Sequence, residues 1–187
     1  MKQILKIYSA VALLLASVIS AEAQDMSKIK NNITAVYVDA VQYYEDAKYR
    51  EAKALLSSMV FRKDDVVVMD MEAGLEHLGR GTASMVDQFI VVIEPGARSV
   101  QTYEKVKQLA ADLGIHEVNV VANKIRDDSD REFIRQRIPE ENLLGFISYN
   151  AEVIDADRRG ISPYDVSPKA VEEIRQIKAK MDQKLKE

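Results

Sequence analysis

From Val66 onward, short β-branched runs alternate with stretches of helical period, and this alternation limits the fold more than any other feature of the chain. Four runs read as strands: Val66 to Met69, Phe89 to Val92, Val118 to Val121 and Leu144 to Ile147. Helical patterns separate them, most clearly Val100 to Leu113 and Arg131 to Ile138. Strands that are apolar on both faces and alternate with helices are the pattern of parallel βαβ units, because the crossover helices cover both sides of the sheet. The fold class expected is α/β. The tail from Pro168 to Leu185 places Val171, Ile174, Ile177, Met181 and Leu185 on one stripe of a charged helix, which predicts docking on the flank of the domain.

Ahead of this region the texture is different. Residues Ser27 to Val60 contain neither glycine nor proline, and Ile29, Ile33, Val36, Ala40 and Tyr43 recur at helical spacing, followed by Ala52, Leu55, Leu56 and Met59. The stretch "YYEDAKYREAKALL" between them resembles the turn of one tetratricopeptide repeat, and an ordinary helical hairpin accounts for it equally well. At the start, Lys2 and Lys6 precede an apolar run from Ile7 to Ile19, and Ala21-Glu22-Ala23 follows in the A-x-A arrangement of a signal-peptidase site. This reads as an export leader, too short to be a stable transmembrane span of ~20 residues. The division expected is 1–23 leader, 24–60 helical hairpin and 61–187 α/β domain.

Composition excludes several chemistries. A net charge of −4 over 187 residues provides no basic field for nucleic acid. With no cysteine and two histidines, His77 and His116, the chain has no thiol nucleophile and no expected metal site of its own.

In a parallel sheet, ligands bind outside the carboxyl ends of the strands. The residues leaving the strands at that edge are Asp70, then Glu94 and Pro95, then Asn123 and Lys124, then Tyr149 and Asn150. Asp70 follows an apolar strand directly, and a carboxylate there can hold the water shell of Mg²⁺. Gly74, four residues on, lets a backbone amide approach a terminal phosphate closely. A turn or helix-capping aspartate is the plainer reading of that spacing taken alone. His77 and Arg80 read as bracing or coupling residues of the following helix, and His116 as a surface histidine favourable at a helix C-terminus. The acidic run Asp127 to Glu132 is what a helix N-terminus favours.

The segment "VVVMDMEAGLEHLGRGTA" closely resembles the switch II region of CooC-type ATPases, the MinD/ParA-like P-loop proteins that serve nickel insertion into carbon monoxide dehydrogenase. "VVIEPGARSVQT", "LGIHEVNVVANKI", "LLGFISYN" and the closing helix continue the likeness in order, from about Ala52 to Lys186. The resemblance implies ATP and Mg²⁺ as cofactors, with Asp70 acting at the magnesium and hydrolytic water and Gly74 sensing the γ-phosphate. It also implies Asn123 and Lys124 beside the adenine, an ATP-driven homodimer, and carbon monoxide dehydrogenase or another nickel enzyme as partner in the cytoplasm.

A P-loop requires G-x-x-x-x-G-K-[ST], whose glycines let backbone N–H groups wrap the phosphates. The first glycine here is Gly74, so no such loop precedes the switch-like segment. The family's first strand, its phosphate loop, its switch I aspartate and its paired metal-site cysteines find no counterpart in the sequence. The expectation is a partial P-loop NTPase-like parallel sheet with flanking helices, preceded by a helical N-terminal segment. Its sheet would stand with open edges where the central strand is missing, in a truncated or fused relative joined near Tyr49 to Ala52. Such a chain would not bind or hydrolyse ATP alone. The rival expectation is an exported helical-repeat-like interaction module whose α/β portion is passive; a third is that another polypeptide supplies the absent half.

Overall fold

A computed structural model of the chain describes residues 3–7, 66–70 and 87–184, the first two stretches as backbone. The strands are β1 (Gln3–Ile7), β2 (Val66–Asp70), β3 (Gln88–Ile93), β4 (Glu117–Ile125) and β5 (Leu143–Ser148). The helices are α1 (Ala97–Asp112), α2 (Asp128–Arg135), α3 (Ala151–Arg158), α4 (Pro163–Val166) and α5 (Pro168–Lys184). The strands form one sheet in the order β2-β1-β3-β4-β5, with every neighbouring pair parallel. The expected α/β class and each of the four expected strands are present, extended by one to five residues.

One expectation is corrected. The central strand is not missing: β1 lies between β2 and β3, with Gln3 to Ile7 in register with Val66 to Asp70, and Leu5 to Ile7 with Gln88 to Ile90. Ile4, Leu5 and Ile7 are good strand formers. The apolar character that reads as the start of an export leader therefore also suits a strand paired on both sides. The remainder of the 1–23 segment and the hairpin of 24–60, with its tetratricopeptide-like turn, lie outside the described residues. Among the described residues no helix is long and apolar enough to cross a membrane.

The two faces of the sheet bury different helices. Phe89, Val91 and Ile93 of β3 and Val118, Val120 and Ala122 of β4 pack with Tyr103, Val106 and Ala110 of α1 and Ile134 of α2. On the opposite face Ile90, Val121 and Ile147 meet Val171, Ile174, Ile177 and Met181 of α5, the stripe that the helical period predicts. Each fully buried aliphatic or aromatic side chain contributes about 1.5–3 kcal/mol, so these faces are the main source of stability. Gly145 on β5 lets α5 approach: a Cβ there would lie 2.7 Å from Ile177 Cγ1, so the glycine is needed for space.

Two helix ends follow from local chemistry. α1 ends with Leu113, after which Gly114 at φ +75° places its N–H on Ala111 O and that of Ile115 on Ala110 O. That closure falls to Gly114 and the buried Ile115, and His116 lies exposed beyond it. α2 is capped by Asp127, whose side chain accepts from the N–H groups of Ser129 and Asp130. The Asp127 carboxyl is held below its ordinary value, first by the Ser129 hydroxyl and then by the Asp130 N–H. The acidic run is thus a helix start, as its composition suggests.

A buried polar pair crosses the β3–β4 ladder on the α5 face. Asn119 Nδ2 donates to Gln88 Oε1 at 2.9 Å, and Lys184 Nζ donates to Asn119 Oδ1 and to the Glu141 carbonyl, each at 2.6 Å. Both amides are almost completely buried.

Candidate nucleotide-facing edge

The carboxyl ends of the parallel strands line up along one edge of the sheet. The chain passes from β1 outward to β2 and then back across to β3, so the strand order reverses at β1. Crevices for ligands open at such a reversal. Asp70 is the last residue of β2 and registers with Ile7, the last of β1, so its backbone stands on the correct edge, directly beside the reversal. Its side chain, together with Gly74, His77 and Arg80, lies outside the described residues.

Next along the edge, β3 ends at Ile93 and hands on to Glu94, Pro95 and Gly96. Glu94 reaches across to β4 and pairs with Lys124 at 2.6 Å, both side chains remaining about half exposed. Lys124 has a left-handed backbone, φ 57°, the only non-glycine among the described residues to do so. The register shows the reason: Ala122 pairs with Phe146 and Ile125 with Ser148, so Asn123 and Lys124 together oppose one residue of β5. This is a β-bulge, a device that re-aims side chains at the rim of a sheet. The left-handed conformation costs about 1–2 kcal/mol for a residue with a Cβ. It is partly offset by the Asn123 side chain, whose Oδ1 accepts from Lys124 N–H at 2.8 Å. With that oxygen committed, Asn123 has its Nδ2 donors to offer a ligand.

The last rim element follows β5. Tyr149 N–H donates to Ile125 O at 2.8 Å, tying the turn to the end of β4. The Tyr149 ring is 50% exposed, the one exposed large apolar side chain among the described residues, and the Arg126 guanidinium lies 6.0 Å from its centroid. Asn150 behaves differently from its neighbour. Its Oδ1 accepts from Glu152 N–H at the start of α3 and its Nδ2 donates to the buried Ser167 hydroxyl at 2.6 Å. Both ends of the Asn150 amide are thereby used in holding structure. Below the turn, Ser148 donates its N–H to Glu173 Oε2 at 2.9 Å and its hydroxyl to Oε1 at 2.6 Å.

Of the residues named from the sequence, the structure brings Glu94 and Lys124 into contact and sets Asn123 beside them on the bulge. Tyr149 joins through Arg126, which the sequence does not single out, although it directly follows the Asn-Lys-Ile run. Glu173 and Ser167 were not legible at all, because a carboxylate on a charged helix and a serine before a proline carry no sign of a partner about twenty residues away. Among the described residues no cluster of three or more metal-ligating side chains occurs.

No family profile matches the chain. It is 43% identical over 116 residues to the carbon monoxide dehydrogenase accessory protein CooC of Rhodospirillum rubrum, covering 62% of this chain and 44% of that protein. It is 41% identical over 128 residues to an uncharacterized ATP-binding protein of Methanocaldococcus jannaschii, covering 67% of this chain and 49% of that protein. The chain thus spans about half the length of the curated relatives it matches. In fold it superposes on a plasmid partition protein of Borrelia burgdorferi solved with AMPPNP, with a TM-score of 0.70 and 12% identity over 98% of this chain and 99% of that one. MinD of Aquifex aeolicus gives a TM-score of 0.52 at 13% identity, over 97% of this chain and 84% of MinD.

Proposed function

We propose, from the premise that this chain is a CooC-type, MinD/ParA-like protein in sequence and fold, that it carries the switch and base-side part of an ATP site serving nickel insertion into carbon monoxide dehydrogenase. The 43% identity to CooC is the observation that carries this reading. Asp70 is assigned to the magnesium and hydrolytic water, Gly74 to the γ-phosphate, and Asn123 and Lys124 to the adenine. The base side fits a nucleotide: Asn123 presents amide donors from a bulge, and Tyr149 presents an open ring.

The phosphate side does not fit. A cradle for polyphosphate would follow β1, and residues 8–27 contain neither glycine nor lysine. Most nucleotide affinity comes from charge-assisted contacts to phosphate and from backbone N–H groups at a helix start. The 187-residue chain alone is therefore expected to bind ATP weakly and to release no phosphate. Titration with a fluorescent ATP analogue, with and without Mg²⁺, tests this; micromolar, magnesium-dependent binding would overturn it.

The second reading, an exported interaction module, rests on the Ala21-Glu22-Ala23 cleavage pattern. Cleavage after Ala23 would remove β1 from between β2 and β3. Cell fractionation separates the two readings: a mature form starting at Gln24 outside the cytoplasm favours export, and an intact chain inside the cell favours the nucleotide reading. Pull-down of carbon monoxide dehydrogenase, or of a polypeptide bearing a P-loop, examines the partner; size-exclusion chromatography examines the homodimer.

A further inference from the structure

The turn that carries Tyr149 is pinned on both sides to a single helix. Ser148, just before it, gives its N–H and its hydroxyl to the two oxygens of Glu173, and Asn150, just after it, gives its amide to the hydroxyl of Ser167. Glu173 lies in the second turn of α5, and Ser167 immediately precedes that helix. The Ser167 carbonyl accepts from Val171 N–H, so the serine is locked to the helix start, and its side chain is fully buried. Tyr149 itself bonds through its backbone N–H to Ile125 O at the end of the Asn123–Lys124 bulge, and its ring meets the Arg126 guanidinium. Its ring is left projecting at the ligand edge.

These contacts have a specific physical sense. Ser148 ends β5, and Glu173 accepts its N–H in a charge-assisted bond and takes the hydroxyl as well. Bonds of that kind are about twice as strong as neutral ones and fix direction. The same helix also touches the far end of β5, where Lys180 Nζ donates to Leu143 O at 2.6 Å. That contact docks the helix but lies at the opposite end of the strand from the rim.

The geometry points to Glu173, seconded by Ser167, as a positioning residue that holds the Tyr149 ring and the neighbouring bulge in place for a planar nucleobase. This rests on the base-side nucleotide reading above. A planar ring presented by an otherwise rigid turn gains stacking contact without ordering cost, and an arginine beside it adds to recognition of a π-face.

The test uses the full chain and AMP, which probes the base side without requiring a polyphosphate cradle. Backbone amide shifts are recorded in wild type, Glu173→Ala, Glu173→Gln and Lys180→Ala, each alone and during titration with AMP. Expected for Glu173→Ala are displaced Tyr149 and Asn150 amides and AMP binding roughly 3- to 10-fold weaker, the indirect consequence of a turn no longer held by the two Glu173 bonds. Glu173→Gln, which keeps an oxygen for the Ser148 N–H, restores part of both. Lys180→Ala loosens the same helix but leaves the two amides and AMP binding unchanged. Equal effects of Glu173→Ala and Lys180→Ala would show general docking and overturn the proposal, as would undisturbed Tyr149 and Asn150 amides in Glu173→Ala. Wild type that shows no AMP-dependent shift at Asn123 or Tyr149 refutes the base-side reading, and with it the ligand named here, whatever the unliganded shifts of the variants.

Discussion

Gly145→Ala isolates the contact between α5 and β5. A methyl built at Gly145 lies 2.7 Å from Ile177 Cγ1 and 3.5 Å from Cδ1, whereas comfortable carbon contacts start near ~3.5 Å. Ile177 is fully buried among Ile90, Val121, Leu144 and Ile174, so it has little room to withdraw. Overpacking of this kind costs about 1–3 kcal/mol. Against it, alanine in a strand gains about 0.5–1 kcal/mol over glycine in backbone entropy and propensity. The net expectation is a loss of about 0.5–2 kcal/mol, or roughly 1–8 °C in Tm for a chain of this size. The contrast comes from repeating the change in an Ile177→Ala background. That substitution alone costs about 2–5 kcal/mol, but it removes both obstructing atoms. There Gly145→Ala becomes stabilising by about 0.5–1 kcal/mol, giving a coupling of about 1–3 kcal/mol between the sites. Urea denaturation followed by circular dichroism measures all four corners of the cycle. A cost for Gly145→Ala that is the same in both backgrounds would show that Ile177 is not the obstacle, and a gain in the wild-type background would show that no obstacle exists.

Two further perturbations have defined signs. The Tyr103 hydroxyl is buried and has no hydrogen-bond partner among the described residues, so Tyr103→Phe is expected to stabilise the chain by about 1 kcal/mol at neutral pH in urea melts. Burial, reinforced by Glu104 and Glu141, pushes the Tyr103 pKa up from 10.0 to about 12. The folded state then holds a proton that the unfolded state releases, so stability is intact below pH ~10 and falls by on the order of 2 kcal/mol as pH rises to ~12; Tyr103→Phe should abolish that step. Lys124→Gly relieves the left-handed strain while losing the exposed pair with Glu94, which is worth about 0–1 kcal/mol. It should leave stability equal or up to about 1 kcal/mol higher while weakening AMP binding; a loss above about 1 kcal/mol in urea denaturation would refute the strain argument.

Much of this architecture was legible because it follows from side-chain pattern. Val118 to Val121 and Leu144 to Ile147 are apolar on both faces and became inner and outer strands of a parallel sheet, and the Val171 to Met181 stripe became the buried side of α5. The part that was missed depends on partners distant in sequence. Gln3 to Ile7 is short and runs straight into a longer apolar stretch, so its pairing with β2 and β3 has no local signature. α3 and α4 went unread although Asn150 and Ser162-Pro163 are capping signals, since each helix is only eight or four residues long. At the candidate site the strand ends supplied the right positions, but the bulge at Asn123–Lys124 emerges only when two strands of unequal length are laid together. The Glu173–Ser148 pair is likewise a product of helix placement.

The Asn119–Gln88 contact bears on how the sheet assembles. In the observed alignment Gln88 lies opposite Glu117 and Ile90 opposite Asn119, which puts both amides on the face covered by α5. Sliding β4 by one residue against β3 would turn Asn119 towards Phe89 and the α1 side, and carry Val118 and Val120 to the other. Such a slip trades one apolar residue for another and, judged by greasiness alone, is only modestly disfavoured. It also breaks the Asn119–Gln88 and Lys184–Asn119 bonds, at about 1–3 kcal/mol for each buried neutral group left without a partner. The polar pair therefore acts as a proofreader of strand alignment, rejecting frames that valines and isoleucines would tolerate.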